Sequence, residues 1–254
     1  MRPAVEVLTR TWSRWPRPRQ PVAQILGYHR IDNDGGGLCV SPATFARQMR
    51  LLDEARDECA PMRLGDLLEH LDLGQTRPWS AAVTFDDGWA DNHTYALGPL
   101  VEHRIPAIVY VPSRFLGSPG YLTETQVREM LAAGIEIGSH TRTHPDLRAC
   151  TPVELQSELQ GSKEDLEDTF GVEITSFAYP TGLWNEAARE GVAAAGYRSA
   201  VSTRRGWAQA DSDALCLPRN FVEDFDDRTF VAALRGGLNL LGWIESLRGL
   251  LGPR

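Results

Sequence analysis

Two adjacent aspartates, Asp86 and Asp87, end an apolar run in the segment AAVTFDDGWADN. Two histidines four residues apart, His140 and His144, follow another apolar run in IEIGSHTRTHPDL. Neighbouring carboxylates repel each other unless a cation neutralises one of them, and a metal site divides such a pair: one binds the ion, the other stays free as a base. The Asp87-Gly88 step would by itself also suit the tight turn of a β-hairpin. Trp89 to His103 argues against that turn, because it lacks strand alternation and sets Tyr95, Leu97, Leu100 and Val101 on a helix-like face. Imidazoles at a spacing of four converge if the turn between them is helical. Alone they are a weak sign, common on surface loops. Joined to Asp87 they form a two-histidine, one-carboxylate set that leaves a zinc position open to water, which suits hydrolysis.

Such groups need rigid elements behind them. Short apolar segments rich in β-branched and aromatic residues suggest strands near Ala23–Tyr28, Ala81–Phe85, Ala107–Val111, Ile135–Gly138, Thr175–Tyr179, Arg198–Ser202 and Leu215–Pro218. Helices fall between them. Ser41-Pro42 places a cap before a proline at the first helical position, and Thr123 to Gln126 and Thr151 to Glu154 have capping-box spacing. Repeated strand–helix alternation implies an α/β fold with a mostly parallel sheet. Several strands end in chemically capable pairs, Tyr28-His29, Asp86-Asp87, Ser139-His140 and Pro180-Thr181. In a barrel of parallel strands those ends share one rim, where catalytic groups gather. An open doubly wound sheet is the alternative. No glycine-rich phosphate loop follows a strand, so nucleotide binding has no support.

On these residues the chain resembles the polysaccharide deacetylase family, also called the NodB-homology or family-4 carbohydrate esterase group. The motif TFDDG stands at Thr84 to Gly88, and H-[ST]-x-x-H stands as His140-Thr141-Arg142-Thr143-His144. The matching spacing runs from about Gln24 to Asn220. The resemblance implies an irregular (β/α)7 TIM-like barrel and removal of N-acetyl groups from an N-acetylated sugar, oligosaccharide or polysaccharide. It implies Asp86 as general base and Asp87, His140 and His144 as ligands of one divalent metal. Zinc is the first choice, and cobalt, nickel or iron would accept the same donors.

Two departures from the family pattern bear on the rest of the site. The motif R-x-P-Y-G appears as Ala178-Tyr179-Pro180-Thr181-Gly182, without its arginine and second tyrosine. The backbone N–H that the family uses toward the oxyanion survives at Thr181. Arg219, in LPRN, is the expected replacement for the arginine that supports the catalytic aspartate; a plain surface arginine is the competing reading. The late L-x-L-x-H motif, which carries the family's general acid, is absent, since no histidine follows Leu215. ILGYH near the start resembles the branch that includes poly-N-acetylglucosamine deacetylases, and it makes His29 the expected acid. The competing reading is a histidine hydrogen-bonded in a loop. His93 is the reserve, though its place just inside a helix suits a solvated side chain.

The formal net charge of −8 argues against a nucleic-acid binder, which needs a basic surface to displace counterions, and favours an uncharged glycan. With 42% hydrophobic and 24% charged residues the composition is that of an ordinary globular protein, and 254 residues suit one α/β barrel. Residues 1–20 form a basic leader expected to pack loosely, and 21–254 a single catalytic domain. The stripe Phe230, Leu234, Leu238, Leu241 and Ile244 predicts a C-terminal amphipathic helix covering the barrel. Glu6 and Arg10 interrupt the apolar stretch near the start, and no run of about 18 apolar residues exists. A cytoplasmic protein is therefore expected, with Trp12 and Trp15 of the leader available for contact with the inner membrane face. Cys39, Cys59, Cys150 and Cys216 form no CxxC pair and read as buried, reduced thiols. Rival functions are hydrolysis of a small non-sugar amide and non-catalytic glycan binding on the same scaffold.

Overall fold

The alternation of apolar strands and capped helices builds an irregular (β/α)7 TIM-like barrel. The computed structural model describes residues 22–36, 38–74 and 79–239. In chain order these form β1 (Val22–Tyr28), β2 (Arg30–Ile31), β3 (Cys39–Val40), α1 (Pro42–Glu54), β4 (Ala60–Pro61), α2 (Leu64–Asp72) and β5 (Trp79–Phe85). Then come α3 (Leu97–Glu102), β6 (Ala107–Val111), α4 (Glu124–Ala132), β7 (Glu136–Ser139), α5 (Pro152–Phe170) and β8 (Ser176–Ala178). Finally come α6 (Glu186–Ala194), β9 (Ser199–Val201), β10 (Asn220–Phe221) and α7 (Asp227–Leu234). The main sheet has the order β10-β1-β5-β6-β7-β8-β9, with β4 also on β5, and every pairing is parallel.

Period-two alternation sorts the side chains. Ile25, Ala82, Ile108, Tyr110, Ala178 and Val201 fill the barrel, which Leu64, Leu67 and Leu71 of α2 plug at the N-terminal ends of the strands. The alternate positions, among them Leu26, Val83, Phe85, Val109 and Ile137, pack outward under the helices. All three expected helix starts are capped as the sequence implies. Ser41 Oγ accepts from Thr44 N before Pro42, and Thr123 and Thr151 form complete capping boxes with Gln126 and Glu154.

Three expectations need correction. Leu215–Pro218 is not a strand: only Leu217 meets β9, through an isolated bridge to Val201, and the last strand is β10. Pro218 has no N–H to continue that ladder, so the chain shifts sideways and Asn220 and Phe221 pair with Leu26 and Gly27 of β1. One segment thus touches both edge strands and brings the curled sheet round. The helix expected from Trp89 starts late, as a π-helical turn at Asn92–Ala96 leading into α3. Trp89 is instead bridged to Tyr121, with Ala90 N donating to Gly120 O (2.9 Å) and Leu122 N to Gly88 O (2.9 Å). Among the cysteines, all free, Cys39 and Cys59 are buried, but Cys150 and Cys216 are only half-buried.

At the C-terminus, Phe230, Leu234 and Leu238 are buried, as a helix covering the barrel requires. Helix α7 ends at Leu234, with a turn after it, and Leu241 and Ile244 lie outside the described residues. The leader 1–20 lies outside them too, and with it the expected membrane contact. Among the described residues no helix is long and apolar enough to cross a membrane.

Candidate active site

The C-terminal ends of β1, β5, β7 and β8 bring the chemically capable residues to one rim. Asp87, just past β5, and His140 and His144, past β7, have donor atoms that all lie within 4.8 Å of one another. His140 Nε2 is 3.4 Å and His144 Nε2 3.5 Å from Asp87 Oδ1. Donors around a tetrahedral ion with bonds of about 2.0–2.1 Å stand about 3.3 Å apart, so the spacing of both imidazoles from Asp87 suits a zinc-like ion. His140 Nδ1 lies 2.7 Å from the Ala178 carbonyl, which can only accept, so Nδ1 donates there and Nε2 is the nitrogen turned to Asp87.

The backbone that achieves this differs from the expected helical turn. Among the described residues, four of the six non-glycine positions with left-handed φ sit at this rim: Asp87 (71°), Thr141 (68°), His144 (58°) and Thr181 (59°). The left-handed step at Asp87 re-aims its carboxylate away from that of Asp86. The two beyond β7 fold His144 back over His140, so convergence comes from a strained loop held by its neighbours. Glu158 on α5 accepts from Arg142 N, Thr143 N and Thr143 Oγ1, and Thr141 Oγ1 accepts from His144 N (2.9 Å).

Asp86 is separated from the three-donor set and paired elsewhere. Arg219 donates from Nη1 to Oδ1 and from Nη2 to Oδ2, both at 2.7 Å, a bidentate clamp. The guanidinium is wholly buried, so the surface-arginine reading does not describe it. Its remaining donors reach Ser202 O (3.0 Å) and Thr84 Oγ1 (3.1 Å), and its face lies 4.9 Å from the Phe221 ring. Burial pushes the Asp86 carboxyl up, but the charge and hydrogen bonds of Arg219 outweigh it and hold the group below the usual carboxylate range. Asp87 is likewise pulled below that range: burial opposes the shift, and His140, His29 and His144 overcome it.

His29 follows β1 directly, and its Nε2 is 3.8 Å from Asp86 Oδ2. Its Nδ1 is buried with no hydrogen-bond partner among the described residues, so the loop-bonded reading does not fit it. The ring is held instead by packing on Phe221, with centroids 5.0 Å apart, and by Asn92 Nδ2, which donates to the His29 carbonyl (2.8 Å). Burial lowers its pKa, against the opposing pull of Asp86 and Asp87. His93 is elsewhere, 2.6 Å from Glu129 at the surface. Thr181 lies on the short turn Pro180–Gly182 after β8, three residues from the carbonyl that fixes His140.

Sequence reasoning passed over Phe221, Tyr110 and Trp89. Phe221 touches both His29 and Arg219, and room for it exists only because Gly27 faces it: a Cβ at Gly27 would lie 2.8 Å from the ring. Gly138 makes the same allowance for Tyr110, whose ring is 5.8 Å from the Arg219 guanidinium. Glycine inside a strand is the sequence signal for such a close approach. Gly27→Ala is therefore expected to displace Phe221 and lower any turnover about 100-fold while the protein stays folded, because small misplacements of reacting groups are costly. Steady-state kinetics beside a thermal melt checks this, and full activity would show that the ring does not position its neighbours. A cavity of about 470 Å³ at the opposite end of the barrel, lined in part by Leu64, Glu136, Ser176 and Ser199, contains none of these residues.

Comparison with known proteins points the same way. The family model for polysaccharide deacetylase matches residues 74–200. The "Putative polysaccharide deacetylase YxkH" of Bacillus subtilis (strain 168) is 31% identical over 208 residues, covering 82% of this chain and 74% of that protein. A chitooligosaccharide deacetylase of Bradyrhizobium sp. (strain ANU 289) is 30% identical over 151 residues, covering 57% of this chain and 65% of that one. The fold is shared with the Streptococcus pyogenes deacetylase PplD in complex with acetate, with a TM-score of 0.78 at 24% identity, over 85% of this chain and 99% of that one.

Proposed function

The chain belongs to the polysaccharide deacetylase family, and from that premise we propose that it hydrolyses the N-acetyl group of an N-acetylated glycan, releasing acetate and leaving a free amine. Asp87, His140 and His144 would hold one divalent metal, zinc by donor type. The observation that carries the reading is the division of the two carboxylates: Oδ1 of Asp87 faces two imidazoles, while Asp86 is clamped by Arg219 and faces His29.

When bound, the metal supplies Lewis acidity toward the acetyl carbonyl and toward the attacking water. Asp86, kept ionised by Arg219, accepts the proton of that water as oxygen bonds to the acetyl carbon. The Thr181 N–H donates to the oxygen that gains charge. Protonated His29 gives the proton of Nε2 to the sugar nitrogen as the C–N bond breaks, so the amine leaves neutral, and Asp86, 3.8 Å away, passes to His29 the proton it took from the water. The left-handed steps at Asp87, His144 and Thr181 aim these groups before substrate arrives, which is what a preorganised site requires.

Acetate release from N-acetylated chitooligosaccharides, assayed beside small amides, tests the proposal. Activity is expected on the glycans, lost after chelation and restored by zinc or cobalt. Turnover of small amides alone would favour the non-sugar amidohydrolase. Stoichiometric metal with no acetate from any glycan would sink the proposal. Glycan binding without turnover would favour the non-catalytic module.

A further inference from the structure

The metal-facing carboxylate of Asp87 has a second oxygen, and Oδ2 accepts a hydrogen bond from the indole Nε1–H of Trp89 (3.1 Å). An unrestrained carboxylate beside a cation swings between one-oxygen and two-oxygen coordination. Here Oδ1 is the oxygen set against His140 and His144, while Oδ2 accepts from the indole.

The indole is itself held from several sides. Tyr121 stacks on it with centroids 4.5 Å apart and planes 17° from parallel, and Tyr121 packs in turn on Phe115 (4.9 Å). The Trp89–Tyr121 bridge fixes its backbone. The Arg30 guanidinium lies 5.1 Å from the indole centre and is tied by its Nε to Asp91 (3.0 Å) and by Nη2 to Asp32 (2.6 Å). This bracing explains why the helix expected from Trp89 begins late: the residue is held in a bridge that aims its N–H at Asp87.

We propose that Trp89 is a positioning residue for the metal carboxylate: its N–H occupies Oδ2, so that Asp87 presents Oδ1 alone and the open coordination position stays open. The proposal rests on the metal-site reading above and goes beyond it, since the indole belongs to neither the ligand set nor the acid–base pair. Partners that orient a ligand are worth about 10- to 100-fold in metal affinity. Trp89→Phe keeps an aromatic ring on Tyr121 but removes the N–H together with part of the indole's bulk, so a purely packing role predicts a lower melting temperature with the Co2+ band unchanged.

The experiment measures Co2+ affinity of chelated protein by competition with a chromophoric chelator, and records the visible absorption of the Co2+ form. Trp89→Phe is expected to weaken Co2+ binding by about 10- to 100-fold and to alter the visible band, as Oδ2 becomes free to coordinate. The melting temperature of the metal-free variant reports folding independently. Should Trp89→Phe fail to fold, Tyr121→Leu, which releases the indole while retaining its N–H, is expected to weaken binding by a smaller factor. Wild-type affinity in the folded variant, with an unchanged band, overturns the proposal. Absence of Co2+ binding by the wild-type protein itself overturns the metal-site reading and the proposal with it.

Discussion

Asp86→Asn is expected to keep the metal and lose roughly 100- to 10,000-fold in kcat, the range for deletion of a general base. The substitution is nearly isosteric, so the ligand donors on Asp87, His140 and His144 have no reason to move. What changes is the capacity to take a proton, together with the charge that balances buried Arg219. Metal content, melting temperature and kcat, read together, separate these effects. A folded, metal-loaded and inactive variant fits Asp86 as base. Wild-type turnover would remove Asp86 from that role, and loss of metal would show that the labour is not divided between the two carboxylates as proposed.

Much of this geometry was legible in the sequence because it follows local rules. The strand-to-rim transitions at Asp86 and His140 came from apolar runs ending in polar pairs, and the capping boxes at Thr123 and Thr151 are short-range patterns with one reading. What sequence could not give depends on distant chain segments. The family resemblance, not local spacing, makes Arg219 the expected support of Asp86: their bidentate pairing spans 133 positions and depends on the lateral shift of the chain at Pro218. The expected helical turn between His140 and His144 failed for a related reason. Left-handed φ at Thr141 and His144 is unfavourable locally and persists because Glu158, on a helix that follows in the chain, holds the loop from outside. Trp89 was read as a helix residue because its neighbours have helical spacing, whereas its bridge to Tyr121 is a tertiary pairing that spacing does not encode.

Replacing Arg219 by Met is expected to move the acidic limb of the pH–rate profile upward and to lower turnover at neutral pH by on the order of 100-fold. Two opposing influences act on the Asp86 carboxyl in the native protein: burial raises its pKa, and Arg219 more than cancels that rise. With its native pKa depressed, Asp86 contributes stability that is present above the unfolded value of about 3.9 and is lost as pH falls through the native value. Without the guanidinium only the smaller pull of His140 and His29 opposes the burial, and the sign is expected to reverse. The carboxyl then binds its proton more tightly in the folded than in the unfolded chain and stays protonated toward neutrality, so activity should recover as pH rises. Stability at neutral pH should fall by about 3–5 kcal/mol, the usual cost of breaking one side of a buried ion pair. Ser202 O and Thr84 Oγ1 lose a donor in the same step. Arg219→Lys supplies the control that keeps the charge but cannot form the two-pronged contact, and it should fall between wild type and Met in both the limb and the melt. A Met variant whose acidic limb coincides with that of the wild type would mean that Arg219 braces the barrel without setting the charge of Asp86.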